Sequence, residues 1–282
     1  MRSIVRATAL SVVLMGGLLY APAWAADQYI DNAKSGNEQP LPAVDGLNAK
    51  VSGFGGEADE RGLYGAAGSV SAPLGFRYGV QIDGFIADYD SRFQGDVTAG
   101  GTALHLFWRD PSVGLIGAYG HYVHADAFGG LDIYAGGAEG ALYWGRFTLE
   151  GVAGVDGGEV DGGPFGRSVD LDPRFFDVAQ LAYYPVDNLK LSVGHSHILS
   201  ENAALFGAEW GFDAGGGTMA SLYAKGSVWE GGDGAVLGGL RVYFGGHDKT
   251  LIRRHREDDP SPAQVIAAIY QWFANRVPPR SP

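Results

Sequence analysis

Phe76-Arg77-Tyr78-Gly79-Val80-Gln81-Ile82-Asp83 decides the fold: on an extended chain Phe76, Tyr78, Val80 and Ile82 share one side, and Arg77, Gln81 and Asp83 share the other. Period-two alternation of this kind marks a strand with one apolar and one polar face. Leu189-Lys190-Leu191-Ser192-Val193 repeats the pattern, and Val236 to Phe244 sets Val236, Leu240, Val242 and Phe244 opposite Arg241 and Tyr243. About twelve such segments begin near Leu47, Leu63, Phe76, Val97, Val113, Leu131, Phe147, Phe176, Leu189, Asn202, Thr218 and Gly234. The facing of Val113 to His124 and of Pro173 to Pro185 is ambiguous, which leaves the count open from about 10 to 14.

Working outward from these segments, the chain begins with Arg2 and Arg6, an apolar run from Ala7 to Tyr20, and Ala23-Trp24-Ala25. That order reads as an export signal over 1–25, removed after Ala25. The run is broken by Ser11, Gly16 and Gly17 and is shorter than the roughly 20 residues a spanning helix needs. No later segment is apolar enough to cross a bilayer as a helix, yet the chain is 46% hydrophobic and 12% aromatic, too rich for a disordered protein. Cysteine is absent, which excludes disulfides and thiolate metal sites. Losing Arg2 and Arg6 with the signal takes the formal charge from -12 to -14, so nucleic acid is not an expected partner. The 46 glycines argue against helices and for crowded, curved sheets.

Residues 26–46, polar and carrying Pro40 and Pro42, read as an extended leader rather than a packed element. Between Leu47 and Gly245 the connections alternate in length. Ala72 to Gly75, Arg109 to Ser112, Trp144 to Arg146, Tyr184 to Asn188 and Asp213 to Gly217 are tight. Gly55 to Gly62, Ala87 to Asp96, Gly157 to Arg174 and His195 to Glu201 are mostly longer and more acidic. Tight turns at one end, longer loops at the other and an even strand number predict an all-β fold: an antiparallel transmembrane barrel over 47–245. Phe76, Tyr78, Trp108, Trp144, Phe147, Tyr183, Trp210, Phe212 and Phe244 all fall on the apolar side at the tight-turn end, as an interfacial girdle requires. A soluble β-sandwich is the competing reading, but it gives no reason for aromatics to gather at one end.

Gly239-Leu240-Arg241-Val242-Tyr243-Phe244 resembles the closing-strand signal of bacterial outer-membrane barrels, a glycine followed by hydrophobic residues at alternate positions, the last aromatic. The resemblance implies a porin-like barrel in the outer membrane, surrounded by its lipids and lipopolysaccharide and inserted by the barrel assembly machinery. Leu237 stands where that signal has a polar residue, and 38 residues follow Phe244. They form a periplasmic tail over 246–282. In it Lys249, Arg253, Arg254 and Arg256 crowd beside Glu257, Asp258 and Asp259. Ser261-Pro262-Ala263-Gln264 then looks like a capping box, and Val265, Ile269, Trp272 and Arg276 lie on one stripe, predicting a short amphipathic helix over 262–277. Its place is open between the membrane interface, the barrel mouth and a partner.

On the inward face the alternation places Lys50, Arg77, Lys190, Lys225 and Arg241 among the bases and Asp83, Glu139, Glu150 and Glu209 among the acids. In a narrow lumen opposite charges should pair, either lining a polar channel or plugging it. Gly194-His195-Ser196-His197 half-resembles a nucleophile motif, with Ile198 in place of its last glycine. Outer-membrane lipid A deacylases and phospholipases use serine and histidine at this level, so Ser196, His195 and His197 carry a lipid-cleaving alternative. Against it, neighbours on a strand point to opposite faces. Glu159, Asp161, Asp170 and Asp172 are candidate ligands for divalent cations bridging lipopolysaccharide phosphates, or for recognition by acidic loops. There is no phosphate cradle, His-Glu-x-x-His motif or dinucleotide fingerprint, so no cofactor is expected. Three functions therefore stand open: a channel or structural surface barrel, a lipid-cleaving esterase, and an adhesion or recognition protein.

Overall fold

A computed structural model describes residues 40–58, 60–91, 95–127, 129–161, 168–245 and 249–258. The export signal, most of the leader and the helix expected over 262–277 lie outside the described residues. Twelve strands follow one another as β1 (Asn48–Ala58), β2 (Arg61–Pro73), β3 (Tyr78–Ser91), β4 (Gly95–Asp110), β5 (Gly114–Ala125), β6 (Leu131–Trp144), β7 (Phe147–Val160), β8 (Val169–Val186), β9 (Leu189–Ile198), β10 (Glu201–Gly215), β11 (Thr218–Trp229) and β12 (Gly234–Phe244). A short helix, α1 (Leu251–Glu257), comes after them. Each strand pairs antiparallel with its sequence neighbours, and β12 returns to β1, from Ala49 opposite Phe244 to Ala58 opposite Ala235, closing the barrel. Closure leaves no strand edge unpaired, the condition a sheet must meet in hydrocarbon.

The alternation read at Phe76–Asp83 sets the two faces. Ile82, Ile86, Leu104, Leu106, Val193, Phe206, Leu222 and Leu240 point outward and are exposed, while Gln81, Asp83, His105 and Glu139 point inward and are buried. A soluble protein would invert this arrangement. Inward aromatic rings find room over inward glycines of the neighbouring strand. A Cβ on Gly65 would stand 2.7 Å from the Phe54 ring, and one on Gly239 would stand 2.8 Å from the Tyr223 ring. Glycine is thus used where two backbones and a ring share one small space.

At the end where the chain enters β1 and leaves β12, two to four residues separate consecutive strands. The opposite end departs from expectation: most residues assigned to long loops belong to strands. β1 and β2 run on to Ala58 and from Arg61, β3 and β4 to Ser91 and from Gly95, and β7 and β8 to Val160 and from Val169. The eighth strand therefore starts well before Phe176. Its pairing with β7 shifts between Asp156, opposite Arg174, and Gly158, opposite Leu171. This bulge takes up Pro173, which has no N–H to give the ladder.

An outward isoleucine in a membrane barrel contacts lipid, whereas on a soluble barrel it contacts water. Ile82→Arg, on a side chain 56% exposed, is expected to lower the unfolding free energy in lipid vesicles by about 2–4 kcal/mol relative to Ile82→Leu. Equal urea midpoints for the two variants would show that this wall does not face lipid.

Candidate functional site

The inner wall changes character along the barrel axis. Toward the tight-turn mouth the inward side chains are polar and paired. Glu209 accepts hydrogen bonds from Ser221 Oγ at 2.6 Å, Tyr243 Oη at 2.7 Å and Arg241 Nη1 at 2.9 Å. Lys190 Nζ donates to Glu150 Oε1 at 3.0 Å, and Gln180 Nε2 approaches the same oxygen at 3.3 Å. On the β3–β6 side His105, fully buried, sits between Asp83 Oδ2 at 3.1 Å and Glu139 Oε2 at 2.8 Å. Gln81 Nε2 donates to Asp83 at 2.8 Å, and Tyr119 Oη lies 3.0 Å from His121 Nδ1. Toward the far end an apolar cluster takes over, with Leu63, Val97, Val123, Ile133, Phe176 and Trp229 buried together, beside the pairs Arg61 with Tyr89 and Arg174 with Asp156, the latter 3.8 Å apart. The expectation of a charge-lined lumen thus holds for part of its length only, because the inward residues of β4 and β6 there are Val97, Ala99 and Ile133.

The nine expected lumen charges fall as follows. Lys50, Asp83, Glu139, Glu150, Lys190, Glu209, Lys225 and Arg241 point inward. Arg77 does not: it lies one residue before β3, at the rim, and donates to Asp110 Oδ2 at 2.6 Å. The expected girdle residues face outward at the tight-turn end, with Trp144 stacked on Phe147 at 6.0 Å and Phe147 on Tyr183 at 4.8 Å between ring centroids.

The mouth itself is filled by the chain. The described end of the leader is packed rather than free: Ala43 N–H donates to Phe76 O at 2.7 Å, Ala43 O accepts from Arg109 Nε, and Val44 packs on Phe107 and Leu115. Helix α1 crosses the same mouth, although sequence reasoning placed no helix there. With only Leu251 and Ile252 apolar at its start, it has no amphipathic stripe to read. Its start is held by Asn188 Oδ1, 3.0 Å from Leu251 N, and by Asp187 O, 3.0 Å from Ile252 N. Leu251 is buried against Met219 and Tyr243. Its last turn carries Arg254, His255 and Arg256, where positive charge meets the negative end of the helix dipole.

Those three residues reach around the wall. Arg254 Nη2 donates to Gly217 O at 2.6 Å and Nη1 to Gly245 O at 3.1 Å. Arg256 Nη2 donates to Phe147 O at 2.7 Å and lies 3.2 Å from Thr148 Oγ1. His255 lies between Tyr184 Oη at 2.9 Å and Tyr243 Oη at 3.0 Å. From the wall, Arg109 Nη2 donates to Glu257 O at 2.7 Å and Ser71 Oγ to Asp258 O at 2.7 Å, satisfying carbonyls that the helix end leaves unpaired. Lys249 bonds Asp258 and lies 3.0 Å from Asp45 and 3.2 Å from Glu257. Burial alone would depress the Lys249 ammonium, but the Asp258, Asp45 and Glu257 carboxylates outweigh it and hold its pKa above the usual lysine value. The tail thus ties strand ends on every side of the mouth.

The remaining candidates do not assemble. Ser196 points inward and is buried, whereas His195 and His197 point outward, so neither imidazole meets its hydroxyl. The histidines lie instead beside Asp177, at 3.3 Å from His195, and Asn202, at 2.9 Å from His197. Glu159 and Asp170 are strand residues facing each other across β7 and β8, not loop ligands. Asp172 belongs to β8 at the bulge, and Asp161 accepts a hydrogen bond from Ser168 Oγ at 2.8 Å. Among the described residues no three acidic or histidine side chains are grouped to hold a metal ion.

If the carboxylates at His105 depend on it, removing the imidazole leaves two buried acids facing each other. His105→Leu is expected to cost about 3–5 kcal/mol of stability, and adding Asp83→Asn with Glu139→Gln should recover most of it in urea titrations of the folded barrel. A single variant as stable as the parent would show that the imidazole does not hold this cluster together.

No family model and no curated protein matches the chain. Solved structures do. The translocator domain of the autotransporter NalP from Neisseria meningitidis superposes with a TM-score of 0.55 at 14% identity, covering 86% of this chain and 98% of that one. An outer membrane channel from Pseudomonas putida superposes with a TM-score of 0.52 at 13% identity, covering 74% of this chain and 98% of that one. Likeness at this identity speaks to fold, and the lipid-suited outer wall agrees with it independently. This chain is a transmembrane β-barrel with the fold of bacterial outer-membrane proteins.

Proposed function

We propose that the protein is an outer-membrane channel held shut at its periplasmic mouth by its own C-terminal segment. The observation that carries this reading is α1 with its flanks. A stretch of 10 residues, 249–258, bonds to β2, β4, β7, β8, β12 and the turns that lead into β9 and β11, and none of these contacts takes part in the barrel ladder. Farther in, the wall's own side chains pack across the lumen, and a barrel kept only as structure could close its mouth in the same way. Here a separate piece of chain does the closing, through contacts whose removal leaves all twelve strand pairings in place.

The mouth bearing the tight turns and both barrel ends is assigned to the periplasm, following the usual orientation of such barrels. The Pseudomonas putida neighbour is described as an outer membrane channel, which supports the reading without naming a solute. The lipid-cleaving alternative lacks a nucleophile paired with a base, and most of the segment assigned to acidic-loop recognition is strand.

In planar bilayers the complete mature chain is expected to show little or no conductance. A chain ending after Gly245, checked for heat-modifiable mobility, is expected to give discrete open-channel currents at least ten-fold larger. Equal currents from both forms would show that the tail is no gate, and a folded but silent truncated form would remove the channel reading.

A further inference from the structure

Midway through the barrel, between β1, β2, β3, β11 and β12, lies a cavity of about 50 Å³ whose lining is built from opposites. Lys50, Lys225 and Arg241 present three cations to it, against the single carboxylate of Asp83. Phe54, Phe85 and Tyr223 present rings. Asp83 is turned to His105 and Gln81, and Arg241 is bonded to Glu209. Among the described residues Lys225 has neither a hydrogen bond nor an ion pair, although it points inward from β11 and lines this space. An ammonium crowded by Arg241, Lys190 and Lys50, with Glu209 acting on it only from a distance, is costly to keep, and a bound anion lowers that cost.

We propose that this cavity binds a short-chain organic carboxylate, its oxygens directed to Lys225 and its hydrocarbon part to the rings of Phe54, Phe85 and Tyr223. Size limits the ligand: at roughly 10–15 Å³ of such volume per water, the cavity takes a carboxylate with a few carbons. A phosphate would find donors on one side and rings it cannot use on the other. A cation would meet three like charges. The proposal names the solute class of the channel read above and rests on that reading for transport, while binding can be measured without it.

The test uses the complete mature chain folded in detergent, titrated with butyrate and with n-butanol as the uncharged match. Butyrate should saturate one site at least ten-fold more tightly than butanol. Lys225→Met should weaken butyrate by at least ten-fold, and Lys225→Arg should keep most of the affinity. On the unmodified chain, butyrate should also slow reductive methylation of Lys225 relative to the other lysines, a readout that survives if Lys225→Met does not fold. Absence of saturation, equal binding of butanol, unchanged affinity in a folded Lys225→Met, or unprotected Lys225 would each overturn the site. Butyrate binding by a barrel whose truncated form stays silent would leave the site standing and remove the channel. Conductance without butyrate binding would do the reverse.

Discussion

Hydrocarbon offers no partner to a backbone N–H or C=O, and the rest of this structure follows from that constraint. A sheet can meet it only by closing, so β12 must find β1. Once closed, the sheet has one face toward lipid and one toward the lumen, and the period-two alternation of every strand is forced into register with that division. Slipping one strand by a single residue would send Asp83 and Gln81 into lipid and Ile82 into the lumen. The glycines serve the same closure. Where Gly65 lies under the Phe54 ring, or Gly239 under Tyr223, a larger side chain would push rings and strands apart.

Closure creates a second problem, because the lumen must be filled or left wet, and this barrel divides the task. The far half of the inner wall is mainly apolar, with Arg61 and Arg174 each held by a neighbour. The middle holds charges in small bonded groups, each acid meeting several donors, as Glu209 meets Ser221, Tyr243 and Arg241. Near the mouth the tail adds Arg254, His255 and Arg256 to the wall's own Arg109, Tyr184 and Tyr243. Pairing of charges within the wall therefore confers rigidity, whereas bonding between wall and tail holds the tail across the mouth.

Much of this was legible in the sequence, for reasons that are local. Alternation depends on neighbours two apart, so the start of eleven of the twelve strands could be read within about three residues, and the outward girdle followed from the same pattern. The eighth strand was misread because Asp170, Asp172 and Pro173 look like loop residues, while a bulge lets the ladder pass them. The apolar far lumen was hidden because strands such as β4 carry small residues on both faces, which erases the period. Helix α1 was invisible for a different reason. Its stability comes from Phe147, Tyr184, Asn188 and Gly217, residues remote in sequence, and no local propensity announces it.

The chemistry of the tail's contacts bears on whether it can leave. Its arginines bond mainly to backbone carbonyls at hairpin ends, and its own last carbonyls are met by Arg109 and Ser71. All of these groups lie at the mouth, where water is the competitor, and a hydrogen bond exchanged for one to water nets only about 0.5–1.5 kcal/mol, somewhat more when charge-assisted. The barrel ladder sits in hydrocarbon with no such substitute. Displacing the tail and unfolding the wall are therefore separable events of very different free energy. A closure built from many contacts that water can replace, attached to a cylinder built from contacts it cannot, is suited to opening without loss of the fold.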